Sequence, residues 1–149
     1  EGNFDNPDVN ELLIKHFIEL RAASPEGSAH VLDIPGLKIP SIKFWSLWKN
    51  DKLMGCGGLK FLDNEHGEFK SIRIHNNFRN KGNGVSVINH LINEAKKLSI
   101  KKISIETGAG DFFKPARKLF IRSGFKTCEP FAHYKEDINS VYFTKIIGS

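Results

Sequence analysis

The stretch RNKGNG, residues 79–84, decides how this chain is read. It stands between an alternating apolar run and a run of helical periodicity. Its two glycines flank a single residue, and Arg79 and Lys81 precede them. A tight turn needs at most one glycine, so the second implies that the backbone must approach something closely. The N-terminus of a helix offers unpaired N–H groups and the positive end of its dipole, and both favour an anion. The residues therefore describe a phosphate cradle, with a plain strand–helix turn as the alternative. It is not a Walker A loop, because no Gly-Lys-Ser/Thr follows. It is not the dinucleotide fingerprint either, because Val87 stands where the third glycine belongs.

The flanks fix the elements. After the loop, Val87, Ile88, Leu91, Ile92, Ala95 and Leu98 form a helical stripe, and Lys96 and Lys97 suit the C-terminal end of that helix. Before it, EFKSIRIH (68–75) alternates. The pattern places Glu68, Lys70, Ile72 and Ile74 on one face and Phe69, Ser71, Arg73 and His75 on the other. Further upstream, Asn6 and Pro7 open a helix over 7–23, with Val9, Leu12, Leu13, Phe17 and Leu20 on one side. Residues 24–41, rich in proline, glycine and serine, read as a connection. IKFWSLWK (42–49) and KLMGCGGLKFL (52–62) form a hairpin about Asn50-Asp51, and Gly57-Gly58 signals a bulge or close approach. Downstream come a strand in KKISIET (101–107), a helix from Pro115 to a left-handed cap at Gly124, and a last strand in SVYFTKII (140–147). Meandering strands followed by a strand–helix–strand crossover imply an α/β (α+β) chain with a mixed sheet and helices on its faces.

Composition sets the bounds. A length of 149 residues suits one domain over 1–149, with a first strand lost ahead of Glu1 as an open alternative. No apolar stretch approaches the roughly 20 residues of a membrane span. Cys56 and Cys128 suggest neither a disulfide framework nor a metal site, and a reducing cytoplasm is the simplest compartment. The net charge of +5 suits an anionic partner, a phosphorylated cofactor or a nucleic acid, or simply a solvated lysine-rich surface. The basic residues are scattered without aromatic interleaving, which argues against nucleic acid.

Arg79-x-x-Gly82-x-Gly84 after an alternating strand resembles the acetyl-CoA signature of the GCN5-related N-acetyltransferase (GNAT) superfamily. ARKLFIRSGF (116–125) is similar to a second family segment, and ETG (106–108) with PFAHYKED (130–137) resembles a branch of small acetyltransferases. The resemblance covers most of the chain. It implies a GNAT-like fold whose mostly antiparallel, twisted sheet splays between the strand before the loop and the strand after the crossover helix, the family's fourth and fifth strands. It implies acetyl-CoA as co-substrate, an unidentified amine acceptor, and a monomer or homodimer. The backbones of Ile72, Arg73 and Ile74 would hold the pantetheine arm. Arg79, Asn80, Lys81, Gly82, Asn83, Gly84 and Val85 would hold the pyrophosphate.

The resemblance also implies chemistry. The Ile72 N–H would steady the oxyanion as an amine attacks the thioester directly. A carboxylate must take the amine's proton, because a free alkylammonium has a pKa near about 10.4. Glu68 stands eleven residues before Arg79, the spacing of the base in the histone-acetylating branch. Glu106 is the second candidate, for the base or for substrate binding. Phe120 replaces the tyrosine that often protonates the departing thiolate, and Phe113 replaces a common cofactor-binding asparagine. Both are read as core and pantetheine packing. Water or Tyr134 is then the acid. A non-catalytic CoA-binding module is the competing reading. The segments 24–40 and 129–140 would line the acceptor site.

Overall fold

Asn50 and Asp51 have φ of 51° and 64°, the left-handed pair that a two-residue hairpin turn requires. They join β1 (Ile42–Lys49) to β2 (Lys52–Phe61) in antiparallel register. The computed structural model describes residues 6–23, 42–75, 78–79, 83–132 and 134–148. Around the hairpin stand α1 (Pro7–Ala23), β3 (His66–Ile74), α2 (Asn83–Lys97), β4 (Lys102–Gly108), α3 (Lys114–Arg122), β5 (Lys126–Thr127) and β6 (Ser140–Ile146). Local chemistry places their ends. The Asn6 side chain accepts from the Asp8 amide at 2.8 Å, capping α1. Gly124, at φ 94°, ends α3: its N–H bonds to the Ile121 carbonyl and that of Phe125 to the Phe120 carbonyl, both at 3.0 Å. Two elements have no clear sequence signal, the two-residue edge strand β5 and a 3-10 turn over Asp111–Phe113. Leu98 was expected within the helical stripe. It falls past the end of α2 and is exposed.

The strand order among the described residues is β1-β2-β3-β4-β6-β5, with only β3 and β4 parallel. The sheet is therefore mixed and mostly antiparallel, as expected. One face packs on α1 through Val9, Leu12, Leu13, Phe17, Phe44 and Cys56. The other packs on α2 and α3 through Val87, Ile88, Leu91, Phe69, Ile103 and Phe143. Burial of Cys56 pushes its thiol up to about 12, so it is an inert core residue.

The alternation expected for β3 fails after Lys70. The β2/β3 register passes from Gly58↔Lys70 to Cys56↔Arg73, so Gly57 opposes two residues, Ser71 and Ile72. Ser71 is the inserted residue, at φ 55°. The bulge turns Ile72 and Ile74 to the α2 face, where both pack in the core, while Glu68, Lys70 and Arg73 share the α1 face with Cys56. Glu68 and Ile72 thus lie on opposite faces, contrary to the simple period. Strict alternation could not reveal the inserted residue, because Ser71 is polar and carries no turn signal.

The bulge sits where β3 leaves β4. Their ladder runs over His66↔Lys102, Gly67↔Ile103, Glu68↔Ser104 and Phe69↔Ile105, and then stops. Beyond it β3 pairs with β2 and β4 with β6. The free end of β4 is held from the other side, where Arg117 of α3 donates to the carbonyls of Gly108 and Gly110 at 2.7 and 2.8 Å. The free end of β3 is tied to α1, as Arg73 Nη2 meets both Glu19 oxygens at 2.8 Å. Arg73 holds the Glu19 carboxyl below its usual range. Beside this pair, His16 is buried with Nδ1 unpartnered, and burial together with the Arg73 charge lowers its pKa to about 3.

Two outcomes follow from these contacts. The Ser71 hydroxyl is buried without a partner, so its loss breaks no hydrogen bond. Ser71→Val should nevertheless destabilise the protein by about 1–2 kcal/mol, because a β-branched residue resists positive φ. Ser71→Gly should be no less stable than the parent, and urea midpoints decide both. For His16, the folded pKa is depressed, so the unfolded chain binds the extra proton. Stability present above pH 6.5 should fall on acidification by up to roughly 1.4 kcal/mol per pH unit, down to about pH 3. His16→Leu should flatten that slope in denaturation measured across the same range.

Candidate active site

Glu68 is 1% exposed and lies one rung from the end of the β3/β4 ladder. A carboxylate so deep requires partners. The Tyr134 hydroxyl donates to Glu68 Oε2 at 2.6 Å. Lys70 Nζ donates to the same oxygen at 3.2 Å and to the Tyr134 oxygen at 3.0 Å. The three groups close a triangle in which each bonds the other two. Glu68 Oε1 stands outside it, buried and without a hydrogen-bond partner. Burial and then the Glu68 charge and hydrogen bond hold the Tyr134 phenol far above its usual range, so it keeps its proton.

Tyr134 belongs to the segment joining β5 to β6, which folds over the α1 side of the sheet. Its ring meets Phe131 at 5.2 Å and Tyr142 at 5.7 Å, and Phe131 also meets His66 at 6.2 Å. Under this aromatic cover runs a polar row across three strands. His66 Nε2 lies 2.7 Å from Ser104 Oγ, Ser104 Oγ lies 3.3 Å from Thr144 Oγ1, and Thr144 Oγ1 donates to the Ile103 carbonyl at 3.2 Å. Each hydroxyl has one proton. Thr144 gives its proton to Ile103, and the direction of the His66–Ser104 bond follows the imidazole tautomer. The row is a structural clip at the closed end of the splay.

The other expected site residues are placed as follows. Glu106 is half-buried on β4 opposite Tyr142, and the Ser140 hydroxyl donates to it at 2.8 Å. It lies beyond the last β3/β4 rung and outside the Glu68 triangle. Ile72, Arg73 and Ile74 form the part of β3 that has left β4. Asn80, Lys81 and Gly82, the centre of the cradle, fall outside the described residues, as does the segment 24–41. Around that centre, Arg79 Nε donates to the Ile74 carbonyl at 3.0 Å and Asn83 Nδ2 to the Phe78 carbonyl at 3.1 Å. These bonds tie the end of β3 to the start of α2. Asn83, Gly84 and Val85 form the first turn of α2, which carries no acidic residue. A Cβ on Gly84 would stand 2.9 Å from Leu119 Cδ1. One close approach implied by this glycine is therefore to α3. Phe113 is buried against Gly108 and Phe112, and Phe120 is buried against Phe125 and Phe143. Both pack within the protein core.

Sequence reasoning missed Lys70 as a member of the site, although a lysine two residues from a glutamate on one strand face was the available signal. It also missed the Glu19–Arg73 tether, which joins elements far apart in sequence.

The chain as a whole is similar to known proteins. The model of the acetyltransferase (GNAT) family matches residues 8–125. The uncharacterized N-acetyltransferase YsnE of Bacillus subtilis (strain 168) is 46% identical over 137 residues, covering 92% of this chain and 91% of the relative. The uncharacterized N-acetyltransferase YedL of Escherichia coli (strain K12) is 35% identical over 139 residues, covering 93% and 87%. Among solved structures, an aminoglycoside 6′-N-acetyltransferase complexed with coenzyme A shares the fold with a TM-score of 0.71 at 14% identity, covering 97% of this chain and 94% of that one. Among the described residues no helix is long and apolar enough to cross a membrane. The family model spans most of the chain, and both relatives match over more than nine-tenths of it, so this chain belongs to the GNAT family as an acetyl-CoA-dependent N-acetyltransferase.

Proposed function

We propose that this chain transfers the acetyl group of acetyl-CoA to a primary amine of a small molecule or peptide, by direct attack in a ternary complex. The observation that carries the reading is the parting of β3 from β4 beside a buried carboxylate. Past Phe69, β3 has a strand edge turned away from β2 and no longer paired with β4. An extended amide chain such as pantetheine suits such an edge. The bulge breaks the period there and leaves Ile72 just past the last β3/β4 rung, a place for its N–H to meet developing negative charge. The first turn of α2 and the nearby Arg79 suit a pyrophosphate. Acetyl-CoA supplies the activated acetyl thioester.

Glu68 takes the amine's proton. Oε1 is the atom with capacity for it, and an ordered water spans the distance, since the side chain lies across the sheet from Ile72. The departing thiolate needs no strong acid, because an alkyl thiol has a pKa of about 8.5 and the anion leaves readily near neutral pH. Phe120 has no proton to give. Tyr134 directs its own proton to Glu68 and holds it tightly, so solvent is the better acid.

Two measurements test this reading. Glu68→Gln should lower turnover by about 10²-fold, at the low end of general-base effects, with acetyl-CoA affinity nearly unchanged. The deficit should shrink as pH rises and more of the amine is already neutral. A constant deficit from about pH 6 to 10 would give Glu68 a positioning role instead. Gly84→Asp should weaken acetyl-CoA binding at least about tenfold in calorimetry, about 1.4 kcal/mol. Gly84→Ala presses on Leu119 equally but adds no charge, and should bind within a few-fold of the parent. Equal losses in both variants would assign Gly84 to helix packing alone.

A further inference from the structure

Two side chains hold the oxygen of Glu68 that the proposed proton transfer does not use. Lys70 and Tyr134 both bond Oε2, and they bond each other, so the carboxylate cannot rotate without breaking two hydrogen bonds at once. We propose that Lys70 and Tyr134 are positioning residues that fix Oε2 of Glu68, balance its charge, and leave Oε1 as the atom that accepts the proton. The inference rests on the reading of Glu68 as the base.

The charges around the carboxylate favour this division of labour. On its own strand, His66 lies two residues before Glu68 and Lys70 two residues after it. β4 contributes Glu106 and Ser104, β6 contributes Tyr142, and the segment before β6 contributes Tyr134. Burial holds the His66 imidazole below its usual range, so it is neutral near pH 7. Both phenols are held above their usual range and keep their protons. Lys70 is the cation in contact with the carboxylate, and its own side chain is 8% exposed. A carboxylate that is 1% exposed loses most of its hydration, and without an adjacent cation the protonated form gains. A protonated glutamate accepts nothing from an amine. Lys70 therefore keeps the base in its working form without touching the reacting atoms.

Tyr134 adds a second condition. It reaches Glu68 from the segment between β5 and β6, which covers the α1 face of the sheet. Its hydroxyl therefore ties that segment directly to the carboxylate.

Carbon-13 labelling of glutamate carboxyls, with Glu68 assigned by Glu68→Gln, reads its ionisation with no acceptor present. In Lys70→Met the Glu68 carboxyl should protonate at a pH at least about one unit higher than in the parent, the lower end of the effect of an adjacent opposite charge. Lys70→Arg should restore most of the parental behaviour, and Tyr134→Phe should shift it in the same direction by less. The acid limb of kcat should move with the carboxyl in each variant, using acetyl-CoA and the fastest primary amine of a panel. An unshifted titration in Lys70→Met overturns the inference. Where Lys70→Met fails to fold, an unshifted titration in Tyr134→Phe does the same. A Glu68→Gln enzyme of undiminished rate would instead overturn the base reading, whatever the carboxyl shows. An unshifted carboxyl beside a slow Glu68→Gln enzyme would overturn the positioning pair alone.

Discussion

The parallel pairing of β3 with β4 is the constraint on which the rest depends. It lasts four rungs and then ends at Phe69↔Ile105. Parallel ladders are evenly bonded and do not part without cause. Here each strand has another partner to follow. β4 continues along β6 as far as Gly108, where Arg117 gathers the last carbonyls. β3 keeps to β2 but gains a residue at Ser71, which increases its local twist. The bulge also decides which side chains face which helix. It sends Ile72 and Ile74 to the α2 core while Lys70 and Arg73 stay with Glu68.

Placing charge so deep in a small domain requires neutral groupings. Glu68 is matched by Lys70, and Glu19 by Arg73. His16, which shares that face, stays uncharged. The buried polar groups also join distant parts of the chain: Tyr134 brings the segment before β6 onto β3, and Arg73 brings α1 onto the free end of the same strand. Buried ion pairs contribute little net stability on average. Their use here is registration, since both fix the surroundings of the strand that borders the gap.

Much of this was legible in the sequence because it is local. The Asn6 cap, the Asn50-Asp51 turn and the Gly124 stop are set by short-range chemistry, and the elements begin or end where those residues stand. The stripe from Val87 to Ala95 foretold the buried face of α2. The face assignment of Ile72 failed because a bulge is a relation between two strands, and a period read along one strand cannot contain it. Glu68 and Tyr134 were each singled out, but their contact joins residues 66 positions apart. Lys70 drew no role in the sequence, because its partner Tyr134 comes from a segment that arrives later in the chain. Gly84 shows the reverse: the glycine itself stood out in the sequence, while its contact with Leu119 did not.

The clip from His66 through Ser104 to Thr144 gives the gap a vertex. Two strands pinned at one end diverge like the blades of open shears, so the width available to a guest grows with distance from the pin. The last rung then acts as a depth stop. Each rung added or removed would move that stop by about 3.3 Å along the strands, the rise of one residue. A thioester carbonyl and its attacking amine must meet within a fraction of that distance. Rung number is thus quantised more coarsely than catalysis tolerates, and insertions or deletions should be tolerated in β3 and β4 only on the far side of the pin from the guest.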